Sequence, residues 1–395
     1  MFKYLLLFVL VGSLSVWVYS RWNVWFVSAP EEPYACAAEP ERVALLPSSD
    51  FASQRIVTWR CADTIAASSV IVAVGADTSV VEAKGQIVTT DGGCDAFYRA
   101  VIDVAHGSHF SYKVTTGDKE SEWYSSATPA NGEIRKLLYI GDVQDTVGGL
   151  SPRVLHGVFD ANRDADAVLF GGDLVEAPLD RYWSNTFNYL DSIATSIPMI
   201  VASGNHEYRK GFPPSIDARW PASFAYDANG AAMSPACYSI EAPNVLIAVL
   251  DVKSMVRGIP VVSQYLWLRN LLASAKPDQR KIVMLHFPLY SVRPGKNNYL
   301  ERWAFGSLAC DYDVDFVLTG HEHGYMRKVD PDEGTPVYVL SHCSPKNYKL
   351  KDADDGEVII GGRRMYQTIT FDADSVRYRA YDATDGALLD YYSFN

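Results

Sequence analysis

From about residue 137 to residue 318, short apolar runs alternate with amphipathic stretches. The runs are Leu137–Ile140, Val168–Phe170, Met199–Val201, Val245–Leu250, Ile282–Leu285 and Phe316–Leu318. Between them lie Pro152–Arg163, Asp180–Ala194 and Ser263–Ala275. In the last of these, Tyr265, Leu268, Leu271 and Leu272 fall on one helical stripe. Such alternation restricts the region to an α/β architecture, a buried sheet with helices on its faces. Strand patterns return at Pro336–Leu340, Tyr366–Phe371 and Val376–Ala380.

The chain before this region has a different pattern. Arg55–Trp59, Val70–Val74, Phe97–Val104 and Phe110–Thr115 are β-branched or aromatic, with turn residues and no helical period between them. Strands at this spacing predict a small all-β sandwich with Trp59 in its core. The turn-rich segment Ser126–Gly132 marks its end. Upstream, Tyr4–Val18 is one apolar run behind Lys3, the pattern of an export leader. Two outcomes stay open: cleavage before Pro30–Pro33, or retention as a membrane anchor with Trp17, Tyr19, Trp22, Trp25 and Phe26 at the interface. Either one places the rest outside the cytoplasm, secreted or periplasmic. The expected layout is a leader over 1–29, a β-sandwich over 40–130 and an α/β domain over 134–395.

Charge narrows the partners. Lys and Arg number 35 against 47 Asp and Glu, a net charge of −12. Neither general nucleic-acid binding nor unaided docking to anionic lipid suits that balance. The 6 cysteines form no C-x-x-C pair. A Cys61–Cys94 disulfide is the preferred pairing for an exported chain, with buried free thiols as the alternative.

In open α/β sheets, function gathers beyond the carboxyl ends of the strands. Here those ends carry Gly141-Asp142-Val143-Gln144, Gly171-Gly172-Asp173, Gly204-Asn205-His206-Glu207, His286, and Gly320-His321-Glu322-His323. Of 8 histidines in the chain, His206, His286, His321 and His323 fall there, which makes a joint accident improbable. His106, His109 and His156 are assigned structural roles, and His342 a place beside the site. Asp251, at the end of another run, is assigned none. Carboxylate, imidazole and amide donors suit Zn, Mn or Fe better than Ca. One aspartate can bridge two such ions, the arrangement used for phosphate-ester cleavage.

With these motifs, the chain resembles the calcineurin-like metallophosphoesterases, and among them the purple acid phosphatases, over nearly everything after residue 40. Gly204–Glu207 and Gly320–His323 carry the resemblance, supported by Tyr325, Arg327 and Gln264–Leu268. It implies a four-layer α/β/β/α sandwich preceded by a fibronectin-type-III-like domain. It also implies two metal ions, divalent or trivalent, of iron, zinc or manganese. Asp173 would bridge them; Asp142 and His323 would hold the first, and Asn205, His286 and His321 the second. His206 would sit just outside the ligands, facing the phosphate as the catalytic group. The implied reaction is hydrolysis of a small phosphate monoester by a hydroxide bridging the metals. Phosphodiesterase or nucleotide pyrophosphatase activity, or an inactive secreted binding protein, are the alternatives. Two positions depart from the family. Glu176 stands where the purple enzymes have an iron-binding tyrosine, and Gln144 stands where most relatives have histidine. Gln144 is therefore either a ligand of the first metal through its amide oxygen or a hydrogen-bonding support. The purple enzymes' substrate-side histidines are also missing, with Lys296, Asn297 or Asn298 as replacements.

Overall fold

The structure is a computed structural model that describes residues 2–211, 213–232, 234–257, 259–329 and 334–395. Met1 and the side chain of Lys3, both part of the leader motif, lie outside the described residues. The leader forms one helix, Phe2–Phe26. Among the described residues, no helix is long and apolar enough to cross a membrane.

Alternation shapes the first unit. Strand His109–Thr116 buries Phe110, Tyr112 and Val114 on one face and leaves the residues between them partly exposed. Two sheets result. One holds Glu41–Pro47, Gln54–Cys61, Cys94–Asp103 and Lys84–Thr89; the other holds Asp77–Glu82, Ser68–Val74, His109–Thr116 and Lys119–Glu120, with Tyr124–Ala127 paired to His109–Thr116. Leu45, Val57, Val72, Tyr98 and Tyr112 pack between them. Trp59 lies in this core, stacked on Tyr98 at 5.4 Å, and its Nε1 donates to Thr116 Oγ1 (2.9 Å). Strand Gln54–Cys61 is buried on both faces because its outer face meets the second unit. There Thr58 Oγ1 donates to Ser223 O (2.6 Å), and Arg60 pairs with Asp180 (2.6 Å).

The cysteines correct one expectation. Among the described residues all are free thiols, so the Cys61–Cys94 bridge does not form. Strand register sets Cys61 opposite Ala96, not Cys94, and turns its thiol to donate to Ala38 O (2.7 Å).

The second unit has two sheets face to face. The first runs Met199–Val201, Ala167–Phe170, Lys136–Ile140, Met365–Phe371, Val376–Asp382, Leu388–Phe394. The second runs Tyr238–Glu241, Val245–Leu250, Arg280–Leu285, Phe316–Thr319, Val337–Leu340, Tyr325–Lys328, Glu357–Ile360. Parallel strands such as Ala167–Phe170 and Phe316–Thr319 are buried along their whole length, which explains their unbroken apolar runs. Leu138, Leu169, Ile247, Met284 and Phe316 share one core with Tyr378. Tyr139 crosses between the sheets to donate to Thr319 O (2.7 Å). Helices Ser151–Asp160 and Asp180–Ser196 cover the first sheet, and Ile259–Ala273 and Ser307–Asp311 the second. The layering is α/β/β/α. The parallel strands of both sheets deliver their carboxyl ends to one edge.

Candidate metal centre

Each strand at that edge ends where the backbone must turn sharply. After Phe170, Gly172 (φ +95°) and Asp173 (φ +52°) are both left-handed. Asp173 therefore occupies a conformation unfavourable for a residue with a Cβ, and the surrounding contacts hold it there. Gly204 passes so close that a Cβ on it would run into the Asp173 carboxylate. Asp173 Oδ1 accepts the His206 N–H (2.9 Å) and lies 3.3 Å from His286 Nε2. Asp173 Oδ2 accepts Gln144 Nε2–H (3.3 Å) and lies 3.8 Å from His206 Nε2.

Asp142 is fully buried on the neighbouring strand end. Its Oδ1 accepts the His321 N–H (2.7 Å), and its Oδ2 lies 3.4 Å from His323 Nε2. Backbone and hydroxyl groups aim the rings. His286 Nδ1 bonds Gly171 O (2.8 Å), and His323 Nδ1 bonds Ser344 Oγ (2.7 Å). Both bonds leave Nε2 pointing at a carboxylate, the orientation that outer hydrogen bonds impose on metal-binding histidines. Ligand atoms of Asp173, His286 and His321 all lie within 4.8 Å of one another.

Electrostatics reflect this crowding. Burial disfavours the His286 cation, yet Asp173 and Asp142 outweigh it and push the imidazole up to about 10. Burial raises the Asp173 carboxyl, but the neighbouring His286 charge overcomes this and holds it below the usual range. Asp142 moves up instead, because burial and the Asp173 charge exceed its attraction to His286. His321 falls to about 3 through burial and the nearby His286 charge, and His323 to about 4, chiefly through burial. Neutral imidazoles of this kind are available to a metal.

A second observation tests whether these residues fit a cation. Asp142 Oδ2, Gln144 Oε1, Asn205 Oδ1 and His286 Nε2 are buried without a hydrogen-bond partner. Buried polar atoms are normally satisfied. These belong to three strand ends, and each can donate a lone pair to a metal, His286 Nε2 once its proton is released. Carboxylate, amide oxygen and imidazole together suit a borderline transition-metal ion. The donor set therefore fits.

The sequence pattern left several residues without a role. Glu207 is fully buried and accepts four backbone amides, from Asp173 (3.0 Å), Leu174 (2.7 Å), Val175 (3.2 Å) and Gly204 (2.6 Å). It ties two of the strand ends together. Its position three residues after Gly204 gave no periodic signal. Asp251 is a brace: it accepts from Ser203, Tyr208 and Ser234 on either side of the Gly204–Glu207 turn. Gln264 Oε1 accepts the Asp251 backbone N–H (2.8 Å). His342 is buried beside His323, ring centroids 5.4 Å apart, with both nitrogens unpartnered. Glu176 turns away from the centre to pair with Lys346 (2.8 Å), while its carbonyl bonds His206 Nδ1 (2.5 Å).

A cleft of about 720 Å³ opens over the centre, lined by Asn205, His206, Lys253, Phe287 and His321, with Phe26 and Ser28 on its rim. The substrate-side expectation needs correction. Lys296, Asn297 and Asn298 do not line this cleft, and Asn298 Nδ2 donates instead to Pro288 O (2.6 Å). Lys253 and Lys210 are the lysines that line it.

Residues 135–325 match the calcineurin-like phosphoesterase family. The chain carries a calcineurin-like phosphoesterase domain. Around that domain, the chain is 32% identical over 270 residues to purple acid phosphatase 21 of Arabidopsis thaliana, covering 64% of this chain and 54% of that protein. It is 28% identical over 272 residues to a phosphoenolpyruvate phosphatase of Allium cepa, covering 59% of this chain and 54% of that protein. The chain thus spans about half the length of the curated relatives it matches. The solved structure of PhoD superposes with a TM-score of 0.65 at 14% identity, covering 92% of this chain and 91% of that one, a likeness of fold. Residues 135–325 supply every strand end of the centre; the rim residues up to Ala29, the sandwich, and the supporting Ser344, His342 and Lys346 lie outside that match.

Proposed function

We propose that this chain hydrolyses phosphate monoesters at a centre of two metal ions, in the manner of the purple acid phosphatases it resembles. The observation that carries the reading is the convergence of unpartnered Asp142 Oδ2, Gln144 Oε1, Asn205 Oδ1 and His286 Nε2 around Asp173. Each buried atom left unsatisfied would cost about 1–3 kcal/mol. A pair of cations relieves all four together.

In this reading Asp173 would be shared by both ions. Asp142 and His323 would hold the first, with Gln144 through Oε1. Asn205, His286 and His321 would hold the second. Iron, zinc and manganese are the candidate metals. Bound there, the ions supply an activated water and neutralise phosphoryl charge. Two dications against the Asp142 and Asp173 carboxylates leave a positive surplus that attracts phosphate, despite the net charge of −12.

The chain's own acid–base group is His206. Glu176 O accepts its Nδ1–H (2.5 Å), so the doubly protonated ring presents Nε2–H to hydrogen-bond the phosphoryl group and pass that proton to the departing oxygen, returning to the neutral Nδ1–H form. Lys253 adds a cation to the cleft wall. The substrate is a small phosphorylated molecule met outside the cytoplasm, consistent with the apolar leader.

Turnover of p-nitrophenyl phosphate against its bis-ester tests the proposal. Preferential cleavage of the monoester, abolished by chelation, is the expected result. Preference for the bis-ester would point to a phosphodiesterase. Metal-loaded protein inert towards both would favour the inactive binding protein.

A further inference from the structure

The segment between leader and sandwich is built into the rim of the cleft. Ser28 Oγ accepts the Lys210 N–H (2.8 Å), tying the segment to the turn beyond His206. Three residues on, Glu31 is buried with its side chain 2% exposed, and it pairs with Arg219, whose side chain is fully buried. Glu31 Oε1 also accepts the Asp180 N–H (2.6 Å). Arg219 in turn donates to Pro178 O (2.9 Å) and to Asp217 (2.8 and 2.9 Å). Farther along, Tyr34 N–H donates to Gly92 O (3.0 Å), and its hydroxyl donates to Asp95 (2.9 Å), both in the sandwich.

These contacts share one target. Pro178 and Asp180 end the short loop that begins at Glu176, and the Glu176 carbonyl is the acceptor that orients the His206 ring. Glu31 grips the far end of that loop twice, directly at Asp180 N and through Arg219 at Pro178 O. Such a loop has few internal bonds of its own: Leu179 N–H to Ala177 O is the backbone bond within it. Its geometry is set from outside.

We propose that Glu31 is a positioning residue for His206, acting through the Glu176–Asp180 loop. The inference rests on the reading of His206 as the proton donor, and it makes the segment 28–34 part of the functional site. A leader cut that preserves full activity must therefore fall upstream of Glu31.

The test is Glu31→Gln in the full chain, measured with p-nitrophenyl phosphate and with a simple alkyl phosphate. Arg219 keeps its bidentate partner Asp217, so the variant retains a paired guanidinium. An alkoxide leaving group needs a proton far more than p-nitrophenolate does. The expected result is a kcat loss for the alkyl ester at least about tenfold greater than for the aryl ester, with metal content unchanged. Glu31→Asp, which keeps the charge, should recover part of it. Combining Glu31→Gln with His206→Ala should add nothing to the His206→Ala loss. Equal losses on both esters, or additive ones, would overturn the proposal.

A readout free of turnover separates this idea from the functional reading. In metal-free protein, the His206 Nδ1–H held by Glu176 O should give a downfield proton resonance, identified by its absence in His206→Gln. That resonance should shift or vanish in Glu31→Gln. An unchanged resonance would refute the positioning role, whatever the chain hydrolyses.

Discussion

At the scale of single residues, the centre is organised by what each polar atom lacks. Gln144 donates its N–H to Asp173 and leaves Oε1 buried and unpaired, which is the pose of an amide-oxygen ligand. Gln144→Ala should weaken binding of one of two ions by about 10–100-fold, measured by competition with a chelating dye. His206 differs because Nδ1 is bonded to a carbonyl and Nε2 stands beside the centre. His206→Ala should lower kcat by about 10²–10⁴-fold with metal content intact. Equal loss of metal and turnover would make it a ligand instead. These residues were legible because glycine and a ligand type recur at strand ends. Glu176 was legible only as a departure from the family, since its pairing with Lys346 joins positions 170 residues apart.

At the scale of elements, turns and strand ends are held by carboxylates that the sequence pattern passed over. Glu207 accepts four amides across two strand ends. Glu207→Ala leaves those N–H groups unsatisfied and should cost about 3–5 kcal/mol in urea unfolding. No periodicity marks such a residue, because its partners are backbone groups brought close only by the fold. Another carboxylate, Asp180, joins the helix Asp180–Ser196 to the sandwich. Burial would raise it, but Arg42 and Arg60 hold it below the ordinary aspartate value. A depressed carboxyl contributes stability that is complete above the unfolded pKa of about 3.9 and is lost as pH falls through the folded one. Melting temperature should therefore fall on acidification below about pH 4, and Asp180→Asn should flatten that part of the profile. A profile unchanged in the variant would remove Asp180 from the account.

At the scale of the whole molecule, layers were easier to foresee than contacts between them. The apolar runs Leu137–Ile140, Val168–Phe170 and Ile282–Leu285 announced buried parallel strands, and each formed one. Trp59 in an alternating strand announced the sandwich core. The Cys61–Cys94 pairing failed because register, which sequence spacing does not reveal, set Cys61 against Ala96. Glu31 went unnoticed because its partners, Asp180 and Arg219, lie 149 and 188 residues away. The central claim is that distant strand ends close around two cations. Its most direct test is the metal stoichiometry of dialysed protein titrated with manganese, zinc or iron, followed alongside p-nitrophenyl phosphate turnover. Two ions per chain, with activity rising as the second binds and Asp173→Asn abolishing both, is the predicted result. A chain that binds none, or that reaches full activity without metal, would contradict it.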